Sequence, residues 1–244
     1  MRLDKYLADA GCGTRSELKQ NIRKRLVTVN GEIVTDAGMH VNPDDAVFLA
    51  GQRVCLTGNR YFMLHKPAGC VTATKDAGKT VMDYICEPKK DALFPVGRLD
   101  KDTEGLLLIT DDGDFAHALT SPRRHIDKTY YFEAEGVLCA DAVQKAAQGL
   151  SIGEEKLTRP AVLVIQKSDS AQGIVTGTLT ICEGRYHQVK RMIRALGAQV
   201  TYLKRLSIGT LSLDCGLQKG QYRSLTEEEI KACHTNLHEQ IDVT

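Results

Sequence analysis

The segment formed by residues 95–113 constrains the fold of this 244-residue chain more than any other stretch. Residues 106–109 are an unbroken apolar run between Gly105 and an Asp-Asp-Gly turn signal at 111–113, a pattern typical of a strand buried on both faces. Asp100 therefore lies on a short loop that leads into a rigid core element, where catalytic groups are often held. From the residues alone two alternatives stay open: a catalytic carboxylate, or an aspartate that caps a turn.

The composition is that of an ordinary globular protein, with 42% hydrophobic and 26% charged residues. No apolar stretch is long enough to span a bilayer, and no signal-peptide pattern is present. The eight cysteines form no C-x-x-C pair, so we expect neither a zinc site nor a redox motif, and no metal or cofactor. A cytoplasmic location with reduced thiols is the expectation that follows.

Charge is strongly segregated along the chain, although the formal net charge is only +1. Residues 1–25 hold seven Lys or Arg against three acids, and residues 183–205 hold six against one. Residues 100–114 hold six acids against a single lysine. Two separate basic patches favour an extended polyanion as partner, and nucleic acid is the obvious class.

Residues 1–48 predict a small basic module. Apolar residues at positions 3, 6, 7 and 10 predict a first helix, ended by glycines at 11 and 13. Thr14 and Glu17 form a capping box that opens a second helix. Asn30-Gly31 between two short apolar runs is the strongest short signal for a hairpin.

The second helix carries two stripes at a spacing of four residues. The apolar stripe consists of Leu18, Ile22 and Leu26, and it is expected to pack against the first helix. The neighbouring stripe is basic and is suited to a phosphate backbone. It consists of Arg15, Lys19 and Arg23. This segment resembles the S4-like RNA-binding domain, and the resemblance implies RNA contacts that also include Arg2 and Lys5.

Beyond this module we expect a linker over residues 49–59, a larger domain over 60–232 and an unpatterned C-terminal tail over 233–244. Strand-like runs in the larger domain alternate with helices, and many connections are short and hairpin-like. The predicted class is α+β, with a mixed, mostly antiparallel sheet and flanking helices. A basic helix is predicted over residues 186–196, closed by Gly197, and its polar approach is suited to an anion.

Several motifs resemble those of the pseudouridine synthases, in particular the RsuA family that modifies small-subunit ribosomal RNA. The first motif is Gly97-Arg-Leu-Asp100 with the apolar run that follows it. The second is Lys128-Thr-Tyr130, and the third spans residues 183–192. The matches follow the family order along nearly the whole chain, which is specific where the first motif alone is not.

The resemblance implies isomerisation of uridine to pseudouridine without a cofactor, with Asp100 as the essential carboxylate. Whether that carboxylate attacks C1′ or removes a sugar proton stays open. Lys190 is expected to keep Asp100 ionised, Tyr130 to pack on the flipped base and Arg98 to enter the space that the base leaves. The other positions at which we expect RNA contacts are Arg185, His187 and Arg191.

The expected substrate is 16S rRNA of the small subunit, free or in an assembling subunit, and the chain is expected to act as a monomer without membrane contact. One alternative is a synthase of the same family that acts on 23S rRNA. Another is a non-catalytic ribosome-assembly factor that only binds RNA. A third is a hydrolase that uses Asp100 and Asp102 as a carboxylate pair, although residues two apart in a loop seldom converge on one bond.

Overall fold

The computed structural model describes residues 1–42, 44–54 and 58–239, with side chains up to Cys233. The chain divides into two compact units, residues Met1–Asn59 and the remainder from Arg60 onward. Within the described residues, no helix is long and apolar enough to cross a membrane.

In its described residues, the first unit has two helices and a four-stranded antiparallel sheet. Its elements are α1 (Leu3–Asp9), α2 (Arg15–Arg23), β1 (Val27–Val29), β2 (Glu32–Ile33), β3 (Val47–Leu49) and β4 (Gln52–Val54). The strand order is β2-β1-β3-β4. The predicted capping box of Thr14 and Glu17 is present, and the Asn30-Gly31 turn joins β1 and β2 with positive φ at both residues.

Two expectations for this unit were wrong. Leu26 does not extend the apolar stripe, because α2 ends at Arg23 and Arg25 adopts a left-handed φ of 60°, which leaves Leu26 43% exposed. The predicted linker contains the end of β3 and the whole of β4, since Ala50-Gly51 turns the chain into a hairpin with positive φ at both positions. Residues 55–57 of that linker lie outside the described residues.

The second unit is built on a nine-stranded mixed sheet. Its strands are β5 (Tyr61–Lys66), β6 (Phe94–Val96), β7 (Glu104–Thr110), β8 (Lys128–Gly136), β9 (Val162–Asp169), β10 (Ile174–Ile181), β11 (Ala198–Ile208), β12 (Leu211–Ser212) and β13 (Tyr222–Ser224). The main order is β13-β5-β7-β11-β8-β10-β9, with β6 paired to β7 and β12 paired to β11. The β7–β11 pair is parallel and the others are antiparallel, as the prediction of a mostly antiparallel sheet requires.

Helices cover both faces of this sheet. They are α3 (Gly113–Thr120), α4 (Ala142–Gln148), α5 (Gln188–Ala195) and α6 (Glu227–Glu239). The buried side chains of α4 and α5 belong to one hydrophobic core, and those of α3 and α6 belong to a second core. In β7, Leu107 and Ile109 enter the first core while Leu106 and Leu108 enter the second, which confirms the prediction of a strand buried on both faces.

The C-terminal segment from residue 233 is not the unpatterned tail that we expected, because α6 continues to Glu239. The signal that the sequence reading missed is the pair Thr226 and Glu229. The Thr226 hydroxyl accepts a hydrogen bond from the Glu229 amide at 3.2 Å, and the Glu229 carboxylate accepts one from the Thr226 amide at 2.8 Å. Cys233 on this helix is buried in the second core. Residues 240–244 lie outside the described residues.

The parallel contact between β7 and β11 depends on Gly105. This residue has a φ of 106° and lies opposite Arg205, and a Cβ atom on it would lie 2.2 Å from the Arg205 carbonyl oxygen and 2.6 Å from its amide nitrogen. Because both neighbours are backbone atoms of a central strand, neither can move aside. Only glycine fits at this position.

We therefore predict that Gly105→Ala lowers the free energy of unfolding by about 2 kcal/mol or more, since backbone strain and overpacking each cost about 1–3 kcal/mol. The control is Gly113→Ala at the start of α3, where a Cβ would meet no atom within 4 Å. That change is expected to be neutral or to stabilise by less than about 1 kcal/mol. Urea denaturation measures both, and equal midpoints for the two variants would contradict the prediction.

Candidate active site

Asp100 lies in the loop between β6 and β7, and its backbone is held from two sides. The Thr72 hydroxyl donates to the Leu99 carbonyl at 2.8 Å and accepts from the Leu99 amide at 3.1 Å. The Thr103 amide donates to the Asp100 carbonyl at 3.1 Å. The loop that carries the carboxylate therefore has a fixed path before any substrate binds.

A buried lysine holds the same loop from below. Lys66, at the end of β5, is completely buried, and its ammonium donates to the carbonyls of Asp100, Lys101 and Thr103 at 3.1, 3.3 and 2.8 Å and to that of Pro67 at 3.1 Å. Burial lowers the pKa of Lys66, and the nearby carboxylates oppose that shift. No prediction from the sequence gave Lys66 this role.

The Asp100 carboxylate faces two basic side chains. Its Oδ2 atom lies 3.4 Å from Lys190 Nζ, and its Oδ1 atom lies 3.6 Å from His187 Nε2. The carboxylate is 28% exposed, so it is open to a ligand from one side. His187 takes a left-handed φ of 49° directly before α5.

Lys190 binds a second carboxylate more closely than it binds Asp100. Its Nζ lies 2.6 and 2.8 Å from the two oxygens of Asp102, whose side chain is 73% exposed. Partial burial raises the pKa of Asp102, but the hydrogen bond and the charge of Lys190, with weaker contributions from its surroundings, together bring the pKa below its usual value. Asp102 therefore stays ionised and orients Lys190 beside Asp100.

These groups open into a cavity of 840 Å³ between the 97–103 loop, the end of α3, the sheet and the approach to α5. Of the predicted substrate-binding residues, Arg98, Tyr130 and Lys190 all line it together with Asp100. Tyr130 is 8% exposed and also belongs to the hydrophobic core, so its ring forms part of the cavity wall. A cavity of this size fits a small organic ligand such as one nucleotide.

An exposed aromatic side chain at the rim was missed. Tyr186 also lines the cavity and is 76% exposed, and its ring stacks on His187 with centroids 3.8 Å apart at 19°. The feature of the sequence that could have identified Tyr186 is its position next to His187, in the polar segment that leads into α5. A flat exposed ring of this kind is suited to a nucleobase.

The side chains of Arg185 and Arg191 form hydrogen bonds and ion pairs within the protein. Arg185 donates to Glu183, to Glu154 and to two carbonyls of the 156–157 segment. Arg191 pairs with Glu154 at 2.5 Å and donates to the Ile152 carbonyl. The basic run at 183–205 is therefore not the open patch that its charge indicated, because much of it neutralises nearby acids.

The basic residues of the first unit differ in exposure and pairing. The three positions of the α2 stripe (15, 19 and 23) and Lys5 are exposed. Arg2 is half-exposed and forms an ion pair with the buried Asp4 at 3.1 Å. The α2 stripe is therefore the best candidate in this unit for contact with an external anion.

The comparison with known families agrees with the division into two units. Residues 60–195 match the RNA pseudouridylate synthase family, and residues 1–47 match the S4 domain family. The first match covers more than half of the chain and contains Asp100, Tyr130 and Lys190.

Individual relatives are similar over almost their whole length. The ribosomal small subunit pseudouridine synthase A of Escherichia coli is 44% identical over 94% of this chain and 98% of its own. An uncharacterized RNA pseudouridine synthase of Bacillus subtilis, YtzG, is 43% identical over 94% of this chain and 97% of its own. A crystal structure titled as a pseudouridylate synthase is 39% identical with a TM-score of 0.67 and covers 96% of this chain and 99% of its own. With the Asp100 cavity and the two matched regions, these similarities show that the chain belongs to the RNA pseudouridine synthase family and carries an S4 domain.

Proposed function

We propose that this protein converts one uridine of ribosomal RNA into pseudouridine, and that the target lies in the 16S rRNA of the small subunit. The observation that carries the proposal is the Asp100 carboxylate, held in a rigid loop and facing Lys190 at 3.4 Å in a cavity large enough for a nucleotide. The name of the Escherichia coli relative, which aligns over 94% of this chain, supports the small subunit as target.

The proposed reaction is an isomerisation, and side chains of this protein supply the chemistry that it needs. The N1–C1′ bond of uridine breaks, the base turns, C5 bonds to C1′, and the C5 hydrogen leaves as a proton while N1 gains one. Asp100 is the carboxylate at the reacting sugar, and an ordinary aspartate is already ionised at neutral pH. Lys190 and His187 lie beside this carboxylate and fix its orientation.

The target base must leave its stack, which costs roughly a few kcal/mol. Tyr130 is the ring on which the flipped base stacks, and such stacking returns roughly 1–3 kcal/mol. Arg98 is exposed at the cavity and fills the space that the base leaves in the RNA. These two residues together offset the cost of flipping.

The competing functions explain less of the site. A hydrolase with two cooperating carboxylates needs one of them protonated as a general acid. Asp102 is unsuited to this because Lys190 holds its pKa below the usual value. A protein that only binds RNA has no need for an aspartate whose loop is fixed by Lys66 and Thr72.

The S4 domain provides the second contact with RNA, through the exposed α2 stripe. We place the chain as a monomer on rRNA or on an assembling subunit. An rRNA substrate puts the protein in the cytoplasm.

The first prediction concerns Asp100. With RNA tritiated at uridine C5, the wild type is expected to release tritium, because the new C5–C1′ bond expels that hydrogen. Asp100→Asn removes the anion while keeping the shape of the side chain, so no release is expected while RNA affinity is retained.

Asp102→Asn is the matched control, since it removes a neighbouring carboxylate from the same loop. An exposed ion pair is worth at most about 1 kcal/mol, so its rate is expected to stay within about tenfold of the wild type. Equal release by the wild type and Asp100→Asn would refute the role of Asp100.

The choice of target is tested with unmodified rRNA. We expect tritium release from 16S rRNA and none from 23S rRNA, each supplied alone and with ribosomal proteins. Sequencing of pseudouridines in rRNA from a deletion strain checks the same point in the cell. Loss of a modification from 23S rRNA alone would redirect the proposal to the large subunit.

The α2 stripe is tested by the triple change Arg15→Gln, Lys19→Gln and Arg23→Gln in the full chain. Each cation on a phosphate contributes roughly 0.7–0.9 to the slope of log K against log salt, so the slope is expected to fall by about 2–3. Affinity is measured by filter binding or fluorescence anisotropy at several salt concentrations.

A triple change of equal charge elsewhere controls for net charge. Lys90, Lys145 and Lys167 are exposed in the second unit, away from the residues that line the cavity. Their replacement by Gln is expected to leave the slope almost unchanged. An equal fall for both triples would mean that α2 makes no specific contact.

A further inference from the structure

Two cations occupy positions next to Tyr130 in the part of the sheet that lines the cavity. Lys128 and Tyr130 occupy alternate positions of β8, so their side chains share one face of the sheet. Arg205 lies directly opposite Tyr130 on β11. All three line the cavity that contains Asp100. A base stacked on Tyr130 would therefore lie next to both positive charges.

Arg205 is almost completely buried and incompletely satisfied. It is 3% exposed, its Nε donates to the Leu106 carbonyl at 2.8 Å, and its Nη2 has no hydrogen-bond partner among the described residues. A buried donor without a partner destabilises the folded state, and more so when it is charged. Arg205 is thus kept at an energetic cost that its packing does not explain.

Lys128 adds a second, partly buried charge beside it. Its ammonium donates to the Ile126 carbonyl at 2.6 Å, and no ion pair among the described residues includes Lys128 or Arg205. Burial, and after it the charge of Arg205, lowers the pKa of Lys128, while Cys182 and Asp127 oppose that shift. Two neighbouring cations, one buried and one partly buried, that have no paired carboxylate among the described residues are arranged to receive negative charge.

The reaction proposed above creates such a charge. When the N1–C1′ bond breaks, its electron pair stays on N1, and the negative charge spreads onto the two carbonyl oxygens of uracil. This inference rests on the proposed function: we propose that Lys128 and Arg205 are further catalytic residues that stabilise the departing uracil anion through its carbonyl oxygens. The charge returns to zero when C5 bonds to C1′, C5 loses its proton and N1 is protonated.

Fixed donors that meet charge as it develops lower a barrier without reorganisation. The two cations act on the base, while Asp100 acts on the sugar. Lys128 and Arg205 therefore affect the chemical step and leave the ground-state binding of RNA nearly unchanged. A contact with an RNA phosphate would instead weaken binding and change its salt dependence.

The test is single-turnover tritium release at saturating 16S rRNA with Arg205→Gln and Lys128→Gln. Loss of one preorganised donor is expected to slow release by about 100-fold for Arg205→Gln, with an unchanged Kd for RNA and an unchanged salt slope. Lys128→Gln is expected to slow release by about tenfold or more on the same grounds. Lys167→Gln on the exposed edge strand β9 is the control and retains the wild-type rate.

A rescue experiment separates electrostatic from structural roles. Added guanidinium, far below denaturing concentrations, is expected to restore part of the rate of Arg205→Ala and none of that of Asp100→Asn. Circular dichroism and RNA affinity report folding. If the Arg205 variants do not fold, Lys128→Gln alone decides the question, because Lys128 is only partly buried.

Three results would overturn the inference: wild-type rates in folded variants, a loss confined to Kd with a salt slope reduced by about one, or no rescue by guanidinium. The wild type and Asp100→Asn are measured in the same series. Release by the first and none by the second leaves the proposed function intact, whatever the Lys128 and Arg205 variants do.

Discussion

The active-site loop depends on the buried ammonium of Lys66. Four backbone carbonyls, three of them between residues 100 and 103, converge on a single Nζ atom at the end of β5. Carbonyls of a buried loop must find donors, and here one side chain supplies them. Cys70 and the carboxylates of Asp102, Asp100 and Glu104 offset part of the cost of burying that charge, although the pKa of Lys66 still lies below its usual value. The acidic composition of the loop therefore stabilises its own anchor.

The same acids organise the other cations of the site. Asp102 and Asp100 share Lys190, and Glu104 accepts from Lys219 and from the Tyr202 hydroxyl. Burial raises the pKa of Glu104, but these two donors outweigh it and the carboxyl stays ionised. The segregation of acids near residue 100 and cations near residue 190 is thus in part an internal pairing. The net charge of a segment therefore indicates how strongly it attracts RNA only when charges that are paired within the protein are left out of the count.

Local signals allowed much of the fold to be predicted. The apolar run at 106–109, the capping box at Thr14 and the Asn30-Gly31 turn each act within a few residues, so the local sequence is enough to predict them.

The errors arose where a local pattern was extended to residues that it does not govern. Leu26 was placed on a helix that had already ended, and Gly51 was taken for a linker although it turns a hairpin. The candidate site was predicted through Asp100, Tyr130 and Lys190, because the motifs that contain them resemble those of a known family.

What escaped prediction depends on register between distant strands. Lys66 reaches a loop 34 residues away, and Arg205 meets Tyr130 only because β8 and β11 pair at that position. Sheet register follows from the packing of both cores, which no short motif contains. Gly105 links these parts, since its missing Cβ lets the Arg205 backbone approach β7 at the base of the Asp100 loop. One glycine thus joins the strand that follows the Asp100 loop to the strand that carries Arg205. A substitution there displaces both strands, and with them the Asp100 side and the Arg205 side of the cavity.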